Sequence, residues 1–159
     1  MQIRIMAVGK IKDSWIREGI EEYRKRLGPY CRLEIQEIAE EKLPDNPSHA
    51  QILQTLEKEG ERLLKGISDD AWMILLDLHG KHLSSEKLAE NFDKLALNGQ
   101  SQIVFVIGGA FGLSDKLRVR AQMALKLSDM TFTHPMTRLI LVEQIYRAFK
   151  ISRGEKYHW

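Results

Sequence analysis

Cysteine is almost missing from this sequence: Cys31 is the single one in 159 residues. A lone thiol closes no internal disulfide and completes no thiolate cluster, which excludes disulfide scaffolds, zinc fingers and iron–sulfur centres. Proline is scarce as well, and two of the four prolines fall in EEKLPDNPS (40–48), the one stretch that reads as an extended loop. No apolar run approaches the ~18 residues of a membrane span, and the chain opens on the strand-like MQIRIMAVG instead of a basic, apolar leader. The expectation is therefore a cytoplasmic protein with no membrane partner. Repeats and low-complexity tracts are also missing, so solenoids and tail-like modules drop out.

What is present is the material of a globular domain. Hydrophobic residues make up 43% and charged residues 29%, enough for a core in one domain spanning 1–159. Net charge is only +2, yet residues 101–159 hold nine Lys/Arg against four Asp/Glu, while residues 1–100 hold fifteen against eighteen. The C-terminal part is thus the phosphate-facing end if a polyanion is bound.

Periodicity gives the elements. QIRIMAV (2–8) and RLEIQEI (32–38) alternate as strands. The nearly continuous apolar runs AWMILLDL (71–78) and SQIVFVIGG (101–109) suit central strands covered on both faces. Asp13 opens a helix carrying Ile16, Ile20, Tyr23 and Leu27, stopped by Gly28 and Pro29. Ser48 with Gln51 in capping-box spacing opens a second that ends near Gly66. A third runs from about Ser84 to Leu97, LRVRAQMALKL gives a short helix or turn and a short strand, and Pro135 suits the first turn of a final helix. The alternation implies an α/β fold with a mostly parallel sheet and helices on both faces, where ligands sit beyond the carboxyl ends of strands. In the final helix Leu139, Ile140, Leu141 and Val142 are consecutive, so its apolar surface is wider than one sheet covers; a homodimer is expected.

Several motifs could carry chemistry. Gly108, Gly109 and Gly112 in IVFVIGGAFGLSD allow a backbone to approach a ligand, but form neither a dinucleotide fingerprint nor a Walker loop; a tight strand-to-helix turn is the alternative. VGK (8–10) lacks the upstream glycine of a phosphate loop. Asp77, His79 and His82 resemble metal ligands, yet no second cluster completes a site, and no metal is expected. Cys31 and the six methionines read as core residues, and Ser84 and Ser85 as caps. His134 sits just before a helix-initiating proline, where it either caps or reaches a site. The tail RGEKYHW mixes Arg153 and Lys156 with Tyr157, His158 and Trp159, a composition that can hold phosphates and stack on an unpaired base, or simply fray.

Taken together, LLDLHGK, IVFVIGGAFGL, LSDMTFTHPMTR, EQIYRAFKI, IRIMAVGK, EYRKRLGPY and the terminal Tyr-His resemble, over essentially the whole chain, the RlmH family of SPOUT-class ribosomal RNA methyltransferases. The resemblance implies a trefoil knot in the C-terminal half, a homodimer, S-adenosylmethionine bound in the knot, and methylation of N3 of a pseudouridine (position 1915) in 23S ribosomal RNA of the large subunit, with the ribosome as partner. Carried over by position, it places the cofactor at Leu76, at Gly108, and along Leu127, Ser128, Asp129, Met130, Thr131 and Phe132. Three loops at strand ends can surround an adenosine, with Leu76 and Phe132 as apolar walls. The imide proton must leave as the base attacks, so His158, Tyr157, His134, Arg138 and Arg153 are the candidates for accepting it, orienting the base or stabilising charge. Two other classes fit the bare pattern. A non-catalytic dimeric α/β RNA-binding module needs no methyl donor, and a flavodoxin-like mononucleotide enzyme needs no RNA.

Overall fold

A computed structural model describes residues 1–158; Trp159, the last residue of the tail, lies outside them. Five strands alternate with five helices: β1 (Gln2–Val8), α1 (Ser14–Leu27), β2 (Arg32–Ile38), α2 (His49–Lys65), β3 (Trp72–His82), α3 (Ser85–Leu97), β4 (Gln102–Ile107), α4 (Asp115–Arg120), β5 (Met123–Lys126) and α5 (His134–Ser152). The strands form one sheet in the order β2-β1-β4-β3-β5, every pair parallel. Among the described residues no helix is long and apolar enough to cross a membrane.

The period-2 rule assigns each strand side chain to a face. Ile3, Ile5 and Ala7 of β1 join Ile103, Phe105 and Ile107 of β4 in a core under α1, α3 and α5. Met6, Val8, Val104 and Val106 point the other way, into a smaller core under α2 and α4. The caps follow the sequence signals. Ser48 and Gln51 form the reciprocal capping box, and Ser84 accepts the Lys87 N–H at 3.2 Å. Asp13 occupies the N-cap of α1 without a side-chain hydrogen bond. Cys31 is buried, and burial pushes its thiol up to about 11.

One strand departs from expectation. β3 runs to His82, four residues past the end of its apolar run, because Leu125 of β5 pairs with Leu76 and then again with Lys81. Residues 77–80 are an excursion from β5 that returns to it. Gly80 permits the return: a Cβ there would lie 2.7 Å from the Ala124 carbonyl carbon and 2.8 Å from that of Leu125.

The end of β1 is fixed by an arginine that the sequence places near the site. Arg138, only 2% exposed, sends Nη1 to Glu37 Oε1 at 2.7 Å and Nη2 to the carbonyls of Val8 and Gly9 at 2.8 and 2.9 Å. Glu37 Oε1 also accepts the Ile11 N–H at 3.0 Å. One side chain thereby ties α5 to the carboxyl ends of β1 and β2. Removing it leaves two strand-end carbonyls and a partly buried carboxylate without their donor. Arg138→Ala is expected to lower stability by about 3 kcal/mol, read as a shifted midpoint in urea denaturation at pH 7; a midpoint within error of the wild type contradicts this role.

Candidate functional site

Three loops leave the carboxyl ends of β3, β4 and β5 and enclose a cavity of ≈ 370 Å³. Its walls are Leu76 and the excursion 77–79, the glycine turn 108–113, and the loop after β5. That is the position the parallel topology predicts for a ligand, and the volume lies within the usual range of small-molecule sites.

The glycine turn is shaped by the chain's contact with itself. A Cβ on Gly108 would stand 2.3 Å from the Gly112 carbonyl oxygen and 3.0 Å from Leu113 Cδ2. Gly112 has φ +93° and donates its N–H to the Gly109 carbonyl at 3.1 Å. Gly108 is therefore required by the fold of the turn, before any ligand is considered. Behind the turn lies Glu59 of α2, 4% exposed, with Oε2 3.2 Å from where a Gly109 Cβ would be. Its Oε1 accepts the Glu41 N–H at 3.0 Å. Burial raises its pKa, aided by the charges of Glu40 and Glu41 and opposed by that hydrogen bond and Arg62.

Of the eight cofactor positions carried over from the resemblance, Leu76, Gly108, Leu127, Ser128, Met130, Thr131 and Phe132 line this cavity. Asp129 does not. It points outward and binds Lys126 Nζ at 2.6 Å and His82 Nε2 at 3.2 Å, so it ties the loop to the strands. Periodicity gave no sign of three further wall residues: Asp77 and Arg118, which form an ion pair, and the half-exposed Phe111. A basic residue on the short helix leaving the glycine turn was the available signal for Arg118.

The five catalytic candidates separate. Only His134 lines the cavity; burial, and then the charge of Arg138, hold its imidazole below its ordinary pKa. Arg138 is in the core. Arg153 lies over the Tyr30 ring, 4.6 Å from its centroid, beside a latch in which Tyr30 donates to Glu155 at 2.6 Å.

Tyr157 and His158 gather on α1, α3 and α5. The Tyr157 hydroxyl donates to Glu143 at 3.0 Å and lies 3.2 Å from that of Tyr23. Burial first, then these partners, push its pKa up, so the phenol keeps its proton. His158 stands 2.7 Å from Glu86 through Nε2 and 3.3 Å from Arg147 Nη1 through Nδ1. Because a guanidinium only donates, Nδ1 accepts and Nε2 carries the hydrogen to Glu86. The lone pair a base would need is engaged in this arrangement. Glu86, with its own backbone N–H, Ser84 and His158 as donors, is held down to about 2.

The raised pKa of Glu59 sets a sign for stability. Folding favours its protonated form, so the wild type loses stability as pH rises from the ordinary carboxylate range through the raised value. Glu59→Gln keeps the acceptor for Glu41 and removes the ionisation. Thermal scans are expected to show this variant more stable than wild type at pH 8, the gap closing by pH 4; an equal gap at both values contradicts the assignment.

The site can be set beside known proteins. A family model described as predicted SPOUT methyltransferase matches residues 1–158. Proteins named ribosomal RNA large subunit methyltransferase H are 52% identical in Halothermothrix orenii, 51% in Desulfitobacterium hafniense and 48% in Acetivibrio thermocellus, each over 158 residues and 99% of both chains. A solved structure of a probable methylase family protein from Haemophilus influenzae shares the fold with TM-score 0.53 at 14% identity, covering 99% of this chain and 70% of that one. Matched from end to end by the family model and by relatives at about half identity, this chain belongs to the SPOUT methyltransferase family.

Proposed function

We propose that this protein transfers a methyl group from S-adenosylmethionine to N3 of a pseudouridine, at position 1915, in 23S ribosomal RNA of the large subunit. The observation that carries this reading is the cavity at the ends of β3, β4 and β5: seven residues assigned to the donor by family position converge there from three separate stretches of chain. The glycine cradle and the apolar walls Leu76 and Phe132 suit an adenosine. The knot belongs to the same proposal and rests on membership of the SPOUT family.

When bound, S-adenosylmethionine supplies an electrophilic methyl on a positively charged sulfur. The chain's contribution is alignment and proton handling, and alignment alone can account for much of the rate. His134, whose pKa is lowered first by desolvation and then by the charge of Arg138, is biased to its neutral form and is the proton acceptor at the cavity wall. Acid protonates it and removes the acceptor. The kcat profile is expected to show an acid limb shifted down from the ordinary histidine range, and this limb is expected to vanish in His134→Ala; an unchanged limb in the variant contradicts the role.

A homodimer is part of the reading. Leu78, Phe111, Met130 and Phe132 form an exposed apolar rim around the cavity, which suits a second subunit and an extruded base. Because Tyr157 and His158 do not line the cavity of their own chain, the tail serves the cavity of the other copy. The test is tritium transfer from labelled donor onto large-subunit particles, with the labelled nucleoside mapped, using two variants. One lacks 157–159; the other carries Thr131→Trp, which fills the cavity. Each alone is expected to be inactive and the first to keep donor binding. Mixed and reassociated one to one, they are expected to recover about a quarter of wild-type activity, since half the dimers carry one intact site of two. Full activity of the truncated protein contradicts a role for the tail, and no recovery on mixing contradicts sharing.

A further inference from the structure

We propose that Arg118 determines specificity for the amino-acid end of the methyl donor, by binding its carboxylate, and that Asp77 positions Arg118 for this task. The inference rests on the cavity being the donor site. Arg118 stands on α4, and Asp77 follows Leu76 at the start of the excursion; both line the cavity. The Asp77 side chain is only 6% exposed, whereas that of Arg118 is 39% exposed. Asp77 Oδ1 accepts the His79 N–H at 3.0 Å and Oδ2 accepts from Arg118 Nη1. A carboxylate buried in this way, held by its own loop on one side, is a fixed anchor.

Arg118 is not consumed by that pair. Among the described residues only its Nη1 has a hydrogen-bond acceptor, which leaves Nε and Nη2 without one on a side chain that lines the cavity. The donor molecule carries a sulfonium, an ammonium and one carboxylate, so the carboxylate needs a cation of the wall with donors to spare. The cationic side chains of the wall are Arg118 and Lys126, and both have a carboxylate partner. Lys126 Nζ is 2.6 Å from the exposed Asp129 carboxylate, which holds the 127–132 loop. Of the two, Arg118 is the planar group, and a guanidinium with two adjacent donors matches a second carboxylate in two-point geometry.

A merely structural arginine would affect every ligand alike, so the test compares two. S-adenosylhomocysteine and 5′-methylthioadenosine share the adenosine and a neutral sulfur and differ in the aminocarboxyl chain. Isothermal titration calorimetry on the full-length protein is expected to show wild type binding S-adenosylhomocysteine more tightly. In Arg118→Ala that affinity is expected to fall about 10- to 100-fold, with 5′-methylthioadenosine changed less than about twofold. Arg118→Gln, which keeps length without charge, is expected to behave like Arg118→Ala, and Asp77→Asn to show a smaller loss for the same ligand only. Equal weakening of both ligands, or of neither, overturns the assignment of Arg118 while leaving the donor site standing. Failure of the wild type to bind either ligand overturns the donor site, and this inference with it.

Discussion

The site depends on the chain meeting its own backbone with nothing in between. At Gly108 the end of β4 lies so close to the Gly112 carbonyl that a methyl group has no room. At Gly80 the returning end of β3 touches the backbone of Ala124 and Leu125 in the same way. These approaches bring the strand ends of β3, β4 and β5 together at one corner of the sheet, and the cavity is the space their loops enclose. A bulkier residue at either point would separate the loops whose mutual placement shapes the cavity.

Much of this was legible in the sequence, because it was written in short-range chemistry. The strands followed alternation or continuous apolarity, and the capping box at Ser48 and the Pro135 helix start stand where their signatures put them. What periodicity could not show was long-range pairing. The second half of β3, with its polar Gly80, Lys81 and His82, reads as a loop, and becomes strand only because β5 offers its edge again. Glycine at 108 suggested approach to a ligand, whereas its immediate neighbour is the turn itself. Arg138 shows the other limit: four residues after His134 on the same helix, it reads as part of a basic site mouth. The helix nevertheless turns it under the sheet edge, where Glu37 and two strand-end carbonyls accept from its two Nη groups.

The electrostatics divide the molecule into a cavity and a tail. The cavity holds few charges, each with an assigned partner: Asp77 with Arg118, and Lys126 with an aspartate outside. Such a setting suits a cationic donor, since it neither repels the sulfonium with free cations nor traps it on a free carboxylate. The tail is instead a dense network on α5, in which Arg147 lies over the Tyr157 ring and Glu143 holds both Arg147 and Tyr157. His158 closes that network onto Glu86 of α3. Groups so thoroughly paired would act on a substrate only after exchanging partners, which is what the proposed sharing of the tail between two copies requires of it.

The proposed activity requires that the cavity accept S-adenosylmethionine. Titration calorimetry of the wild-type protein with S-adenosylmethionine, and in parallel with ATP and FMN, tests it most directly. The expected result is saturable binding of S-adenosylmethionine, competed by S-adenosylhomocysteine, with no comparable heat from the other two. Binding of FMN or ATP in its place, or RNA binding by a protein that takes up no S-adenosylmethionine at all, would contradict the central claim.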